Sequence, residues 1–220
     1  PCIVVVSAIT GITNMLVDIF EKAVSPGSKY KNDLVLVKEK HLELAKVMLS
    51  EQNYNAFKEE LEEDLEKLEN LLSSVSIMRN RLKNLEDHVL SMGEQFSSKM
   101  IVRMFDDAVR IDGRELIVTK KSGDASQILW DETCNNVNSA FRNFNSLAVI
   151  PGFCGRTPDG YITTLGRGGS DLSAAMIAAA VGAEEVHIWT DVDGMMTSDP
   201  NIVKDALSIP SLSYSEAAEL

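Results

Sequence analysis

The chain has 220 residues, of which 45% are apolar and 25% charged, as in an ordinary globular protein with one sizeable α/β domain or two small lobes. Its formal net charge of −12 argues against a nucleic acid or an anionic membrane surface as partner, because both attract basic faces. No apolar run reaches the roughly 18 residues that a membrane-spanning helix needs.

The three cysteines, Cys2, Cys134 and Cys154, form no CxxC pair, so neither a disulfide framework nor a zinc site is expected. This cysteine usage fits a reducing cytoplasm. The chain lacks the charged start of a signal peptide, and it opens on a strand-like run rather than on Met, so an end is expected to be missing.

The first predicted elements are a buried strand at Ile3–Val6 and a helix that begins near Thr13. Between them, the turn SAITGIT gathers Ser7 and two threonines around Gly11. Hydroxyl and backbone N–H groups in such a turn can hold a carboxylate. An ordinary helix-capping turn is the alternative interpretation.

The region from about residue 32 to 90 is predicted to be helical, because apolar residues recur at steps of three and four from Phe57 to Val75. Two interpretations fit: a coiled-coil partner surface, or amphipathic helices packed on their own domain. The shortness of the repeat favours the second. A break is predicted at Ser91–Gly93, followed by a helix to about Val109 with Glu94 at its start, where acidic residues are common.

The second half alternates short apolar runs with turns and one alanine-rich helix. We predict a strand ending at Thr119, then a loop, and a second strand at Leu147–Pro151. A hairpin around Pro158–Gly160 leads into a strand at Tyr161–Leu165, which is followed by a helix closed by Gly182. The last predicted elements are a strand at Glu185–Thr190 and a helix in SYSEAAEL. This alternation predicts a three-layer α/β/α sandwich with a mainly parallel sheet. Ligands bind such sheets at the carboxyl ends of the strands.

The turn GRGGSD, residues 166–171, is the strongest candidate for a binding site. Gly166, Gly168 and Gly169 let a ligand approach the backbone closely, and the following helix start favours an anion. Arg167 adds a planar fork for a carboxylate or phosphate. Asp171 indicates that a cation binds there too, either Mg²⁺ or an ammonium group. A glycine-rich turn with an ordinary N-cap is the alternative.

The turn TDVDG follows the last predicted strand. Thr190 and Asp191 would lie at the strand's carboxyl end, within reach of a ribose or of a metal bound to phosphate. A local turn built on Asp193–Gly194 explains the same residues without a ligand.

The chain resembles the catalytic domain of aspartate kinases, in the amino acid kinase family, in six stretches that follow one another in the same order: SAITGITN, GE, PGF, LGRGGSD, WTDVDG…DP and SYSEAAEL. GRGGSD is the most specific of them, whereas TDVDG is shared with family members acting on glutamate, acetylglutamate or uridylate. The helical region 32–90 carries little of the resemblance.

The resemblance implies transfer of the γ-phosphoryl group of ATP to the β-carboxylate of L-aspartate, the first step of lysine, threonine and methionine biosynthesis, with Mg²⁺ as cofactor and no dedicated protein metal site. It also implies a homo-oligomer for the full-length protein. Arg167 and Asp171 are the implied catalytic residues. The implied substrate-binding residues are Ser7, Thr13, Glu94, Phe153, Arg167, Ser170 and Asp171, and the implied nucleotide-binding residues are Gly168, Gly169, Thr190, Asp191 and Met196.

The resemblance further implies an incomplete catalytic domain, with a substrate-side lobe over roughly 1–150 and the start of a nucleotide-side lobe over roughly 151–220. Family members begin with a strand and a Lys-Phe-Gly-Gly turn that this chain lacks, and a second lysine near the nucleotide is expected after residue 220. Two alternative functions remain: a kinase of the same fold for another carboxylated metabolite, and a non-enzymatic subunit that uses the acidic helices as a partner face.

Overall fold

The computed structural model describes residues 2–27, 29–122, 125–190, 194–200 and 202–219. The chain divides into two compact units, Pro1–Val186 and His187–Leu220. The predicted division into lobes near residue 150 stays a prediction.

The elements in chain order are β1 (Cys2–Val6), α1 (Ile12–Val24), α2 (Lys31–Met48), α3 (Glu51–Met78), α4 (Lys83–Val102), β2 (Ala108–Arg110), α5 (Gly113–Leu116), β3 (Thr119–Ser122), β4 (Ala125–Ile128), α6 (Trp130–Phe141), β5 (Leu147–Pro151), β6 (Cys154–Arg156), β7 (Ile162–Thr164), α7 (Gly169–Val181) and α8 (Tyr214–Glu219).

A parallel sheet with strand order β1-β5-β2 forms the centre of the first unit. Cys2 of β1 and Ala108 of β2 both lie opposite Leu147 of β5, so the two outer strands flank the central one in register. The run LAVIP in β5 is almost wholly buried, as expected for a strand covered on both faces. The strands predicted at 3–6 and 147–151 are thereby confirmed.

Helices cover the sheet on both sides. Ala148 and Ile150 of β5 pack in one cluster with Val137 of α6 and Ile177 of α7. Val149 points to the opposite face, because side chains alternate along a strand, and α4 packs against the strands from that side. The predicted α/β/α layering is therefore confirmed.

The helical region forms α2, α3 and the first part of α4. The apolar stripe of α3, from Phe57 to Val75, is buried in a core shared with α1, α2 and α4. This packing supports amphipathic helices lying on their own domain over a coiled-coil partner surface.

The acidic run of α3 is partly neutralised within the unit. The Lys99 ammonium of α4 lies 2.6 Å from Asp64 and 3.0 Å from Glu60, and the Arg103 guanidinium is 2.5 Å from Glu60. Partial burial of Glu60 opposes ionisation, but the two cations outweigh it and hold the pKa of Glu60 below its ordinary value. The acidic run thus ties α3 to α4.

Four features differ from the sequence-based predictions. The break predicted at Ser91–Gly93 is wrong, because α4 runs unbroken through these residues. The helix predicted to reach Val109 ends at Val102, because Ala108–Arg110 joins the sheet as β2. The predicted loop after Thr119 contains an antiparallel hairpin, β3–β4, and then the unpredicted helix α6.

The strand predicted at Glu185–Thr190 is also wrong. These residues lie outside the strands that the structure describes, and the side chain of Trp189 is 93% exposed. Apolar alternation favours a strand only where a neighbouring strand accepts its backbone hydrogen bonds. The hairpin β6–β7, the C-terminal αL glycine Gly182 of α7 and the helix α8 are confirmed.

The second unit contains a short antiparallel contact, in which Thr197 N–H donates to Leu207 O at 2.9 Å and Ile209 N–H donates to Met195 O at 2.8 Å. Helix α8 follows Ser213, whose hydroxyl accepts from Glu216 N–H at 3.3 Å while the Glu216 carboxylate accepts from Ser213 N–H at 2.8 Å. This reciprocal pair is a capping box, and it explains where the last helix begins.

Two valines of the helical region give a matched test of this packing. Val75 is fully buried, whereas Val47 is 85% exposed. Val75→Ala is expected to lower the free energy of unfolding by about 2 kcal/mol, since buried methyl groups are lost and a cavity remains. Val47→Ala is expected to change it by less than about 0.5 kcal/mol. Urea denaturation measures both, and an equal loss in the two variants would mean that Val47 is covered by a partner.

Candidate functional site

Loops from three elements meet at the carboxyl edge of the sheet. Gly152, which follows β5, donates its N–H to Val6 O at the end of β1 at 3.0 Å. A Cβ added to Gly152 would lie 2.9 Å from the Cα of Ser170, in the first turn of α7. The structure therefore brings together Ser7, Phe153 and Ser170, which the sequence places in three separate turns.

Glu94 lies in the middle of α4 with its carboxyl group against this edge. One carboxylate oxygen, Oε1, accepts a hydrogen bond from Ala8 N–H at 3.1 Å. The residue is only 3% exposed, and its other oxygen, Oε2, accepts no hydrogen bond from any described residue. Burial raises the pKa of Glu94 to about 7. An orphaned, buried carboxylate oxygen of this kind is suited to a cationic ligand.

Helix α4 is held tightly against the loop after β1. A Cβ added to Gly93 would lie only 2.8 Å from the Cβ of Ala8. The Ser97 hydroxyl donates to Ser7 O at 2.6 Å, one turn further along the helix. Glycine at 93 is therefore a requirement of close packing and not of a helix break, and it allows Glu94 to reach Ala8 N–H.

Gly93→Ala tests this close approach. In an open helix the change would stabilise by roughly 0.5–1 kcal/mol, because glycine is the poorer helix former. Here we expect the opposite, a net loss of about 1–2 kcal/mol, since the new methyl group forces the loop at Ala8 outward. Thermal unfolding checks the sign, and a raised melting temperature would contradict the packing described for Glu94.

The turn before α7 is built from glycines in left-handed conformations. Gly166 has φ 80° and Gly168, the N-cap, has φ 69°. Gly168 has no side chain with which to cap the first turn, so the positive end of this 13-residue helix is available to an anion. Arg167 and Asp171 are exposed on either side of this helix start.

Phe153 adopts a left-handed backbone conformation, with φ 67°, that is uncommon for a residue with a side chain. Its half-buried ring lies over Gly169, where an added Cβ would be 2.8 Å from the ring carbon Cδ2. The ring and the start of α7 therefore fix one another's positions.

Three other predicted site residues lie in α1 or in the second compact unit. Thr13 is half-buried as the second residue of α1. Thr190 and Met196 belong to the second compact unit, in which Met196 pairs with Ser208. Asp191 lies outside the described residues.

A polar network behind Glu94 was missed by the sequence analysis. The Arg114 guanidinium lies 2.6 Å from the Asp112 carboxylate and contacts the amide oxygen of Gln95, which also accepts from Arg110. The Arg110 Nε–H group donates to the Ser98 hydroxyl at 2.9 Å. This network ties the end of β2 to α4. The available signal was the run of polar residues on a buried helix.

Metal-binding clusters and membrane-spanning helices are both absent from the described residues. No group of three or more His, Cys, Asp or Glu side chains there could hold a metal ion. No helix in the described part of the chain is both long and apolar enough to cross a membrane.

Comparison with known proteins extends over the whole chain. Residues 1–220 match the model of the amino acid kinase family. A bifunctional aspartokinase/homoserine dehydrogenase from Zea mays is 34% identical over 99% of this chain, and Aspartokinase 2 from Arabidopsis thaliana is 33% identical over the same share. The chain spans 24% and 41% of those two proteins.

A solved structure agrees with these relatives. The crystal structure of aspartokinase III from E. coli in complex with aspartate and ADP matches with a TM-score of 0.89 and 31% identity. The match covers 99% of this chain and 48% of that one. The resemblance to aspartate kinase catalytic domains that the motifs predict is confirmed.

Proposed function

The chain belongs to the amino acid kinase family, and from this premise we propose that the protein containing it is an aspartate kinase. It would transfer the γ-phosphoryl group of ATP to the β-carboxylate of L-aspartate. The observation that carries the proposal is the buried Glu94 carboxylate, whose free oxygen lies at the sheet edge where an amino acid's ammonium group requires a partner.

The charges around this edge indicate where the other groups of the substrate would bind. The Arg167 fork would pair with a substrate carboxylate, and Asp171 would join Glu94 in facing the ammonium group. The pocket walls would be formed by Ser7, Thr13, Phe153 and Ser170. A ligand with both an ammonium and a carboxylate group thus suits the site better than a simple carboxylic acid.

The phosphates of the nucleotide would lie at the start of α7, beside the exposed Gly168 and the buried Gly169. The resemblance also implies nucleotide contacts for Thr190, Asp191 and Met196, and these contacts stay a prediction. Mg²⁺ in such sites is held largely by phosphate oxygens and waters, with one or two carboxylates. Asp171 is the described carboxylate beside this helix start.

The reaction needs little covalent help from the protein. A β-carboxylate oxygen forms the new bond to the γ-phosphorus, the bond from that phosphorus to the bridging oxygen of ADP breaks, and the negative charge moves onto ADP. Because the nucleophile is already ionised, no general base is required. Catalysis then consists of positioning the reactants and neutralising the phosphoryl oxygens.

The test is an assay of the full-length protein with Mg-ATP, in which hydroxylamine traps the acyl phosphate product. Trapped product is expected with L-aspartate and not with L-glutamate or N-acetylglutamate. Product with glutamate at equal efficiency would reassign the substrate. ATP consumption that no carboxylic acid stimulates would contradict the proposal, and binding of neither aspartate nor ATP would favour a non-enzymatic subunit.

The assembly and compartment of the protein are proposals of the same kind. A homo-oligomer is expected, and gel filtration with light scattering would measure its mass. The cysteines Cys2, Cys134 and Cys154 are free, which suits a reducing compartment such as the cytoplasm.

A further inference from the structure

We propose that Ser173, a residue outside every motif considered above, is a positioning residue that sets the affinity of the site for aspartate. It lies one turn inside α7 and is fully buried. Its hydroxyl donates to Gly169 O at 2.8 Å and accepts from Phe153 N–H at 3.1 Å. A single hydroxyl group therefore joins the loop after β5 to the first turn of α7. This inference rests on the proposed function.

The link matters because Phe153 is held in an unfavourable conformation. A residue with a Cβ keeps a φ of 67° only where several contacts with its surroundings hold it in that conformation. Its carbonyl oxygen accepts from Leu165 N–H at 2.8 Å, and its N–H donates to Ser173. Of these two restraints, only the second depends on a side chain.

Packing against Gly169 places the Phe153 ring, but it gives the Phe153 N–H group no acceptor. Gly169 and Gly152 each lack the methyl group that would otherwise collide with the facing segment, so the loop after β5 and the start of α7 touch closely. The Ser173 hydroxyl supplies the missing directional contact. Without it, the Phe153 N–H group loses its acceptor, and the least costly response is rotation of the Phe153 peptide and displacement of its ring.

The substrate would respond through Phe153 and the first turn of α7, since Ser173 itself is buried behind them. Displacement of the ring changes one wall of the aspartate pocket, and release of Gly169 O loosens the turn that carries Ser170 and Asp171. The nucleotide would feel only the loosened turn, whereas the amino acid substrate would feel both the turn and the displaced ring, so the larger effect should be on the amino acid.

The test compares Ser173→Ala with Ser173→Thr, which keeps the hydroxyl, and with Ser91→Ala as a matched control. Ser91 is equally buried, but its hydroxyl donates only within its own helix, to His88 O at 2.8 Å. In the full-length protein, Ser173→Ala is expected to raise the KM for aspartate about tenfold or more and to raise the KM for Mg-ATP by no more than about threefold. Ser173→Thr and Ser91→Ala are expected to keep the aspartate KM within about threefold of the wild type.

An equal rise in both KM values, or no recovery in Ser173→Thr, would overturn the proposal. If Ser173→Ala does not fold, Ser173→Cys, with its weaker hydrogen-bonding thiol, is expected to raise the aspartate KM selectively, and an unchanged KM there would also overturn it.

A second readout separates this inference from the proposed function. If the wild type phosphorylates no aspartate, the proposed function fails, but hydrogen exchange at the Phe153 amide still tests the contact. Exchange is expected to be about tenfold faster in Ser173→Ala than in Ser91→Ala. Equal rates would overturn the positioning role whatever the substrate.

Discussion

Arg167→Ala is expected to raise the KM for L-aspartate about 100-fold or more while the KM for Mg-ATP changes far less. Arg167 is exposed on a turn between two left-handed glycines, and it pairs with no carboxylate among the described residues. In a chain with 33 acidic and 21 basic residues, an unpaired arginine beside a helix start is available for an external anion. Two charge-assisted hydrogen bonds to a substrate carboxylate are worth about 3 kcal/mol, which corresponds to roughly 100-fold in affinity.

Two further variants make the Arg167 experiment specific. Arg167→Lys keeps the charge but loses the planar fork, so an intermediate rise in the aspartate KM is expected. Arg142→Ala removes an exposed arginine at the end of α6 and serves as the control, with no change expected. An unaltered aspartate KM in Arg167→Ala would remove this residue from the substrate site and weaken the assignment of the substrate as a dicarboxylic amino acid.

Local sequence patterns were sufficient to predict the structure of a segment wherever that structure depends on the segment's own residues. The apolar runs of β1 and β5 are bounded by turn residues, and the alanine-rich α7 ends at a glycine in the left-handed conformation that such ends favour. These three elements frame the candidate site. Their loops could therefore be placed at one edge of the sheet from the sequence alone.

Tertiary contacts decided the remaining features. Gly93 is typical of a helix break, yet it lies within α4 because a neighbouring loop leaves no room for a side chain. The apolar residues of 185–190 alternate like a strand, but a strand also needs a neighbour. Glu94 at a predicted helix start was nearly uninformative, because its burial and its orphaned oxygen exist only once α4 packs against the turn after β1.

Glu94→Gln is expected to abolish tight aspartate binding and, at the same time, to make the ligand-free protein more stable above neutral pH. The loss of the carboxylate removes the partner of the substrate's ammonium group, so a rise in the aspartate KM of about 100-fold is expected. Glutamine still presents an oxygen to Ala8 N–H, so the loop after β1 keeps its contact with α4.

The change in stability follows from the raised pKa of Glu94. Its carboxyl group titrates near 4.5 when exposed and at about 7 when folded. Between these pH values the folded protein keeps a proton that the unfolded chain releases. The favourable contribution of Glu94 to the free energy of unfolding is therefore complete below pH 4.5 and is lost as the pH rises through 7. Above pH 7 the buried charge lowers the free energy of unfolding by on the order of 3 kcal/mol relative to a neutral group.

Urea denaturation of the ligand-free protein at pH 5 and pH 8 measures this effect. The stability of Glu94→Gln relative to the wild type is expected to rise by about 2–3 kcal/mol between the two pH values. Glu59→Gln changes an exposed carboxylate of α3, so its stability should follow the wild type at both. Parallel pH dependence in Glu94→Gln and the wild type would contradict the burial of an ionisable group at this position.

The same titration predicts how substrate affinity depends on pH. Only the ionised carboxylate attracts an ammonium group, so the aspartate KM of the wild type should fall as the pH rises through about 7 and then level off. The Cys154 thiol, which interacts electrostatically with Glu94, stays neutral in this range because burial raises its pKa to about 12. Glu94→Gln should lose this pH dependence together with the affinity. Burial of the ionised Glu94 carboxylate would then lower the stability of the ligand-free protein, and the positive charge of the bound substrate would offset that loss.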